Sequence, residues 1–324
     1  MNHSVRIHEH GGPEQLVWEE TPLPSPKPGE ALVRHKAIGL NFIDVYFRTG
    51  LYKLPSLPAT IGMEAAGVVE AIGEGVEDIA VGDRVAYATA PVGAYAEART
   101  IKADRLVKLP DAIGFEEAAA MMLQGMTAQY LLRTTYRVQP GQTILVHAAA
   151  GGVGLLMCQW AKHLGCTVIG TVSTEEKAAL ARAHGADHIV MSGEDLPAAV
   201  KRITGGAMLP VVYDSVGRDT FNASLDSLAP LGMMVSYGNA SGPVPPVDIG
   251  ILAAKGSLYL TRPTLATYTA KREDLLAVAK DLFAVVQSGA VKINIRQRYA
   301  LKDAGQAHRD LEARRTTGST LLMP

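Results

Sequence analysis

Short apolar runs separated by glycine, proline and aspartate fill the first third of the chain and predict β structure. A proline-rich stretch ends at Gly29, and the next apolar run covers residues 31–37 with loose alternation, which is typical of a strand that follows a turn. The same pattern of short apolar runs beside glycine or aspartate recurs over residues 65–73 and 81–85. Many short strands joined by tight turns are typical of a compact, barrel-like β domain.

The spacing of apolar positions becomes helical over residues 115–136. From 142 to about 261, apolar strands alternate with helical segments, which predicts βαβ units around a parallel sheet. The candidate strands are residues 143–146, 167–171, 188–190, 209–213, 233–236 and 257–261. A full dinucleotide-binding domain has six such strands. Beyond them we predict one helix over residues 272–288.

The turn after the first of these strands carries the strongest chemical signal in the chain. Ala149 and Ala150 lead into Gly151, Gly152 and Gly154, and an apolar helix follows. Glycines leave backbone N–H groups open at the helix N-terminus, where the helix dipole favours the pyrophosphate of a dinucleotide. Ala149 replaces the first glycine of the usual G-x-G-x-x-G pattern, so the prediction depends on the strand before the turn and on the helix and second strand after it.

Length and charge narrow the classes of function. A chain of 324 residues predicts about two domains. Because 31 Lys and Arg balance 32 Asp and Glu, no net field attracts nucleic acid or an anionic membrane, and we expect a small uncharged substrate. The first residues lack a signal-peptide pattern and no apolar run is long enough to span a bilayer, so we expect a soluble cytoplasmic protein. Cys158 and Cys166 lie in apolar company and should be free buried thiols.

Motifs along the whole chain point to one family. They are residues 10–14, 41–46, 50–52, 62–67, 82–85, 141–162, 213–217 and 256–263. Together they resemble the quinone oxidoreductases related to zeta-crystallin, in the medium-chain dehydrogenase/reductase superfamily. The resemblance implies an α/β protein: a GroES-like, β-rich catalytic domain over residues 1–125, an inserted six-stranded parallel Rossmann domain over 126–262, and a C-terminal return to the catalytic domain over 263–324.

The same resemblance implies which residues hold the substrate and the cofactor. It places Asn41, Tyr46, Tyr52 and Arg262 near the nicotinamide, as contacts for the quinone oxygens. The implied NADPH-binding residues are Phe42, Asp44, Thr127, Tyr130, Ala150, Gly151, Gly152, Val153, Ser173, Lys177, Ser192, Val216, Tyr237 and Arg314. Taken as residues alone, the two tyrosines are also typical of packing in a β-domain loop, Asn41 and Asp44 of Asx turns, and Thr127 and Tyr130 of ordinary helix packing.

The chain lacks the ligands of a zinc site. Zinc alcohol dehydrogenases of the superfamily place a Cys and a His where this chain has Asn41 and Met63, so no metal is expected. A quinone is already electron-poor, so its reduction needs positioning more than a Lewis acid. We therefore predict that the protein reduces quinones or related electrophiles with NADPH. The alternatives are an NADPH-dependent reductase of α,β-unsaturated aldehydes or ketones, and a non-catalytic structural or RNA-binding protein like some relatives of zeta-crystallin; the neutral charge argues against RNA as the main partner.

The second strand of the nucleotide domain bears on cofactor choice. Where NAD enzymes place a carboxylate for the ribose hydroxyls, this strand ends near Ser173, and Lys177 follows one helical turn later. Arg314 or Arg315 matches a second basic position in relatives, whereas Ser192 replaces a tyrosine that packs near the adenosine phosphate. We predict that NADPH is preferred over NADH. Relatives pair the last strand of this sheet, residues 257–261, across a two-fold axis, so we also expect a homodimer.

Overall fold

A computed structural model describes residues 1–324, and the chain divides into two compact units. The first unit contains Met1–Met126, Thr269–Gln287 and Ile293–Pro324, and the second contains Thr127–Tyr268 and Ser288–Lys292. The second unit is therefore an insertion in the chain of the first. No helix has both the length and the apolar character needed to cross a membrane.

Sixteen strands and eleven α-helices make up the two units. The strands are β1 (Asn2–Ile7), β2 (Val17–Thr21), β3 (Glu30–Leu40), β4 (Ala59–Thr60), β5 (Glu64–Ile72), β6 (Arg84–Ala88), β7 (Ala98–Lys102), β8 (Val107–Lys108), β9 (Thr143–Val146), β10 (Thr167–Val172), β11 (His188–Met191), β12 (Leu209–Asp214), β13 (Leu228–Ser236), β14 (Tyr259–Thr261), β15 (Ile295–Ala300) and β16 (Ser319–Met323). The helices are α1 (Phe42–Thr49), α2 (Phe115–Ala119), α3 (Met122–Tyr130), α4 (Gly152–His163), α5 (Glu175–Ala183), α6 (Leu196–Ile203), α7 (Phe221–Asp226), α8 (Gly250–Ala254), α9 (Leu265–Tyr268), α10 (Arg272–Gln287) and α11 (Ala304–Glu312). Short 3-10 turns cover Pro13–Gln15, Ala103–Arg105 and Leu301–Asp303, and a π-helical turn covers Leu131–Thr135.

The first unit is rich in β structure, as its short apolar runs predict. Its larger sheet has seven strands in the order β15-β16-β3-β5-β6-β8, with β7 also paired to β3, and a smaller sheet has the order β2-β1-β4. The long strand β3 pairs antiparallel with β5, β7 and β16. Alternate side chains of these strands, such as Val33, Val69 and Leu322, are buried together in one apolar core.

One helix of this unit was not predicted from the sequence. Residues 42–49 form α1, so Tyr46 lies on a helix and not in a β-domain loop. Asn41 has an extended backbone before the helix, its N–H donates to the Asp44 carboxylate at 2.9 Å, and Gly50 ends the helix with φ 80°. A carboxylate at the third helical position and a left-handed glycine after the last turn are helix start and stop signals.

The helical stretch 115–136 is divided rather than continuous. It forms α2 and α3, and the π-helical turn Leu131–Thr135 follows directly. At the end of α2, the Ala120 N–H lies close to the carbonyl oxygens of Glu116 and Glu117, which is typical of a tightened last turn.

The second unit is a six-stranded parallel sheet in the order β11-β10-β9-β12-β13-β14. All six predicted strands are present, but β13 begins at Leu228 and β14 only at Tyr259. Ser257 has φ 56°, a left-handed conformation that cannot continue a strand. The strand order reverses between β9 and β12, and ligands of such sheets bind outside the carboxyl ends of the strands at that point.

Candidate functional site

The turn between β9 and α4 is built for an anion. Gly151 is extended, with φ −79° and ψ 173°, and precedes the first helical residue. A Cβ at Gly154 would lie 2.3 Å from the Ala148 carbonyl oxygen, so the first helical turn packs directly on the backbone of the loop. Ala150, Gly152 and the residues beside them therefore present a helix N-terminus free of large side chains, the arrangement that binds a pyrophosphate.

Ala149 occupies the position of the first glycine without distorting this turn. Its side chain is fully buried, and its N–H donates to the Thr171 carbonyl oxygen at 3.0 Å. On the neighbouring strand β10, a Cβ at Gly170 would lie 2.7 Å from the Ala149 Cβ. The methyl group thus fills space that Gly170 leaves open, a compensating pair that no local sequence pattern indicates.

A buried polar cluster supports the carboxyl ends of the central strands. His147 follows β9, and its ring nitrogens lie 2.9 Å from Thr171 Oγ1 and 2.9 Å from Ser224 Oγ. Ser224 donates its only proton to Asp214 Oδ2 at 2.8 Å, so the N–H of His147 must be on Nε2 and donate to Ser224. Burial lowers the pKa of His147, and the ring is neutral.

Asp214 fixes the loop that carries Val216. Its carboxylate accepts hydrogen bonds from the N–H groups of Val216 at 2.7 Å and Gly217 at 3.0 Å. The Tyr237 N–H donates to the Asp214 carbonyl oxygen at 2.8 Å, and burial raises the pKa of the Tyr237 phenol. Val216 and Tyr237, both predicted cofactor contacts, therefore lie together at the ends of β12 and β13.

The predicted phosphate contacts lie around the end of β10. Ser173 is exposed directly after the strand, and the Thr174 hydroxyl caps α5 by accepting the Lys177 N–H at 3.3 Å. The N–H and hydroxyl of Ser192 donate to the Val172 carbonyl oxygen at 2.7 and 3.1 Å. No carboxylate ends β10, although Glu175 and Glu176 open α5 and are exposed.

Three further predicted residues lie elsewhere in the second unit. Thr127 and Tyr130 are buried on α3, and the Tyr130 ring stacks on Tyr268 with centroids 4.4 Å apart. Arg262 follows β14, and its guanidinium donates to the Ser236 carbonyl oxygen at 2.9 Å. Arg314 belongs to the first unit, in the turn after α11, with φ 58°.

In the first unit, α1 gathers the remaining predicted site residues. The Tyr46 and Tyr52 rings meet edge to face with centroids 5.3 Å apart, and Phe42 lies 6.2 Å from Tyr46. The Tyr52 N–H donates to the Tyr46 carbonyl oxygen at 3.0 Å. The aromatic cluster therefore adjoins Asn41, the residue that precedes the helix.

The Asn41 side chain contacts two side chains from other elements. Its Nδ2 donates to Glu64 Oε2 at 2.7 Å, and its Oδ1 accepts from Gln124 Nε2 at 3.1 Å. Glu64 is fully buried and also accepts the Leu123 N–H at 2.7 Å. Burial raises the pKa of Glu64 to about 8 against these donors. Strand β3 has a glycine here because a Cβ at Gly39 would lie 2.3 Å from Glu64 Oε2.

A second buried chain of side chains begins at Asp44. Its Oδ2 accepts from the Tyr95 hydroxyl at 3.1 Å, and Tyr95 lies 3.0 Å from His308 Nε2. Arg48 lies 3.0 Å from His308 Nδ1 and binds the Glu312 carboxylate with both terminal nitrogens. Burial raises the pKa of Asp44 to about 7. The Asp44 carboxylate is thus directed into the first unit, where it holds the N-terminus of α1.

Neither unit assembles a recognisable metal centre. No three His, Cys, Asp or Glu side chains are grouped to hold an ion. Asn41 and Met63 are buried, and neither is a ligand that zinc prefers. Cys158 and Cys166 are free and buried, as expected from their apolar surroundings.

The chain is similar along its whole length to proteins of known name and structure. The zinc-binding dehydrogenase family matches residues 152–279, and the alcohol dehydrogenase GroES-like domain matches residues 27–111. The chain is 55% identical to a quinone oxidoreductase of Pseudomonas aeruginosa, with 100% of each chain covered. It is 45% identical to a 2-haloacrylate reductase of a Burkholderia species, with 98% of each covered. The crystal structure of Escherichia coli quinone oxidoreductase complexed with NADPH matches with a TM-score of 0.98 and 51% identity, over 99% of this chain and 100% of that one.

Proposed function

Since this chain belongs to the quinone oxidoreductase family of the zinc-binding dehydrogenases, we propose that it is an enzyme that reduces quinones with NADPH and without a metal ion. The membership confirms the resemblance in the motifs and the α/β fold with a GroES-like domain and a six-stranded Rossmann sheet. The observation that carries the proposal is the turn between β9 and α4, where position 154 admits only glycine.

The second unit fits NADPH. The N–H groups at Gly152 and Val153 would bind the pyrophosphate beside Gly151, whose own N–H donates to the Ala148 carbonyl oxygen at 2.9 Å. Val216 and Tyr237 would line the nicotinamide end. Ser173 and Lys177 would hold the 2′-phosphate between a hydroxyl and a positive charge. When bound, NADPH supplies the hydride for the reaction.

The first unit supplies polar contacts for the acceptor. Asn41 is fixed by Glu64 and Gln124, so one of its two amide N–H groups remains for an acceptor oxygen. Tyr46 and Tyr52 add aromatic surface with hydroxyl groups. A donor held in place before the reaction stabilises the negative charge that develops on the quinone oxygen. The roles of Phe42, Asp44, Arg262 and Arg314 remain predictions.

Steady-state kinetics with a naphthoquinone and an enone test this proposal. We expect faster turnover of the quinone with NADPH, and no loss of activity in a chelator. Tyr52→Phe should change the quinone kinetics while the melting temperature and the Kd of NADPH stay near wild type. Zinc bound in stoichiometric amount, with activity lost on its removal, would contradict the metal-free reaction.

The relative named 2-haloacrylate reductase favours one second candidate, the reduction of an activated carbon–carbon double bond. In that reaction hydride adds to the β carbon, and the site must also supply a proton. Turnover of an enone or haloacrylate well above that of quinones would select this candidate. Cytoplasmic location and a homodimer through β14 also remain proposals.

A further inference from the structure

Four buried side chains form an unbroken chain of hydrogen bonds in the first unit. Glu64 Oε2 lies 2.7 Å from Asn41 Nδ2, and Asn41 Oδ1 lies 3.1 Å from Gln124 Nε2. Gln124 Oε1 then lies 2.8 Å from Ser319 Oγ, which is also 2.9 Å from the Ala120 carbonyl oxygen. All four side chains are at least nine-tenths buried, so water does not compete for these bonds.

Ser319 cannot donate to both of its acceptors in this arrangement. Its hydroxyl has a single hydrogen but faces two acceptors, the Ala120 carbonyl oxygen and Gln124 Oε1. If the Gln124 amide is turned by half a rotation, its Nε2 donates to Ser319 Oγ. Ser319 then donates to the Ala120 carbonyl oxygen, and both contacts are hydrogen bonds.

This rotation must continue along the chain. Gln124 Oε1 would then face Asn41 across 3.1 Å, so the Asn41 amide must also turn and donate from Nδ2. Asn41 Oδ1 in turn faces Glu64 Oε2 across 2.7 Å, and two oxygens at that distance require a proton between them. The turned chain is therefore complete only when Glu64 is protonated. In the first arrangement Asn41 donates to Glu64 Oε2, which favours the ionised carboxylate, and one acceptor of Ser319 goes without a proton.

We propose that Glu64 is a positioning residue that gains or loses one proton and thereby sets which way round the Asn41 amide faces. In the ionised form Asn41 points Nδ2 toward Glu64, and in the neutral form it points Nδ2 toward Gln124. The Asn41 N–H group that is available to the acceptor therefore has a different position and direction in the two forms. The consequence for catalysis rests on the proposed function, whereas the protonation of Glu64 does not.

The surroundings of Glu64 allow both forms near neutral pH. Asp44 on α1, whose own pKa burial raises to about 7, favours the neutral form of Glu64 once it is ionised, and on β6 the Tyr87 phenol lies within the electrostatic reach of Glu64. Arg99 of β7 lies over the Tyr87 ring, 5.4 Å from its centroid. The N–H of Leu123 favours the ionised form. Burial dominates and raises the pKa of Glu64 to about 8, so the neutral form prevails below that pH and the ionised form above it.

Carbon NMR of protein labelled at the glutamate carboxyl carbons tests the proton directly. Glu64→Gln identifies the Glu64 resonance, and Glu70→Gln, an exposed change on the same strand, is the control. We expect a titration midpoint near pH 8. Ser319→Ala removes the last bonds of the turned chain, so the midpoint should fall by roughly 0.5–1, whereas Ser319→Thr keeps the hydroxyl and should preserve it. A resonance that does not titrate between pH 6 and 10, or a midpoint unchanged by Ser319→Ala, overturns the proposal.

Two further measurements distinguish a failure of this proposal from the misfolding of a variant and from a failure of the proposed function. In wild-type protein, the nuclear Overhauser contacts of the Asn41 side-chain amide should change partner between pH 6.5 and 9.5, and contacts that stay the same overturn the proposal. Quinone kcat/KM should show a step at the same midpoint in wild type and none in Glu64→Gln, in which Gln Nε2 donates to Asn41 at every pH. A step that survives in Glu64→Gln overturns the proposal. Absence of any quinone turnover would instead contradict the proposed function and leave the NMR titration to decide.

Discussion

Two buried histidines of the first unit carry their protons on opposite ring nitrogens. His35 Nδ1 lies 2.7 Å from the Ala96 carbonyl oxygen, which only accepts, so Nδ1 holds the proton. Nδ1 of His308 lies against the Arg48 guanidinium, which only donates, so the proton of His308 is on Nε2. Burial lowers the pKa of both to about 3. Both rings are therefore neutral, and each donates from one defined nitrogen and accepts at the other.

These histidines should destabilise the fold in acid. Their folded pKa lies below the ordinary 6.5, so their stabilisation is complete above pH 6.5 and is lost as the pH falls toward 3. At pH 4.5 the loss amounts to about 2–3 kcal/mol per histidine. The raised pKa values of buried Glu64 and Asp44 make the fold more stable as the pH falls, which opposes the effect of the histidines. The test therefore compares the loss of stability in each variant with the loss in wild type. Denaturant unfolding of His308→Gln should lose less stability between pH 7 and 4.5 than wild type, and exposed His163→Gln should behave as wild type; equal losses in His308→Gln and wild type would refute the buried neutral ring.

Lys177 should determine cofactor preference. It follows the neutral end of β10 in the first turn of α5, where a 2′-phosphate would gain a positive charge. We expect NADPH to bind about tenfold or more tightly than NADH, roughly 1.4 kcal/mol. Lys177→Ala should reduce this ratio by weakening NADPH alone, and Lys201→Ala, which removes an exposed charge on α6, should leave it unchanged. Calorimetry at matched ionic strength measures both, and equal affinities in the wild-type protein would show that Lys177 does not recognise the phosphate.

The sequence predicts elements well where the apolar pattern is regular. The six strands of the Rossmann sheet and α10 follow from their apolar periodicity, and β14 begins late only because Ser257 is left-handed. Helix α1 was missed because eight residues give too short a period, although Asp44 and Gly50 marked both ends. The His147 and Gly170 contacts were missed because their partners lie on other strands, so no local pattern records them. The roles of the predicted site residues stay predictions, because they depend on the bound cofactor and acceptor.

The first turn of α4 should not tolerate a methyl group. In Gly154→Ala the new Cβ would meet the Ala148 carbonyl oxygen at 2.3 Å and Ala149 Cα at 2.8 Å, so backbone must move. We expect a loss of about 1–3 kcal/mol in unfolding free energy and NADPH binding weakened by more than tenfold. Gly114→Ala at the start of α2 is the matched control, because no atom lies within 4 Å of its Cβ position. Normal NADPH affinity in Gly154→Ala would show that the turn is not the pyrophosphate site.

The second unit has an exposed apolar sheet edge. Strand β14 is the last in its sheet, and Tyr259 and Leu260 are 57% and 39% exposed. Unpaired backbone groups beside apolar side chains favour pairing with another strand. We expect a two-fold dimer of the 34.3 kDa chain.

Light scattering should therefore give about twice the chain mass in the micromolar range. Leu260→Lys should shift the protein toward the monomer and preserve NADPH binding. Leu276→Lys, at a similarly exposed leucine of α10 in the first unit (40% exposed), should leave the dimer intact. A monomeric wild type would exclude pairing through β14.

The insertion of one unit in the other also bears on biosynthesis. Residues 127–268 leave the ribosome before β16 does, so the nucleotide sheet has all its strands while β3 still lacks one of its partners. In the larger sheet of the first unit, β3 pairs through Leu40, Gly39 and Ile38 with residues 320–322, which are synthesised after the whole nucleotide sheet. Because domains tend to fold as units during synthesis, the nascent chain should complete its parallel sheet first, and the barrel-like unit should close last.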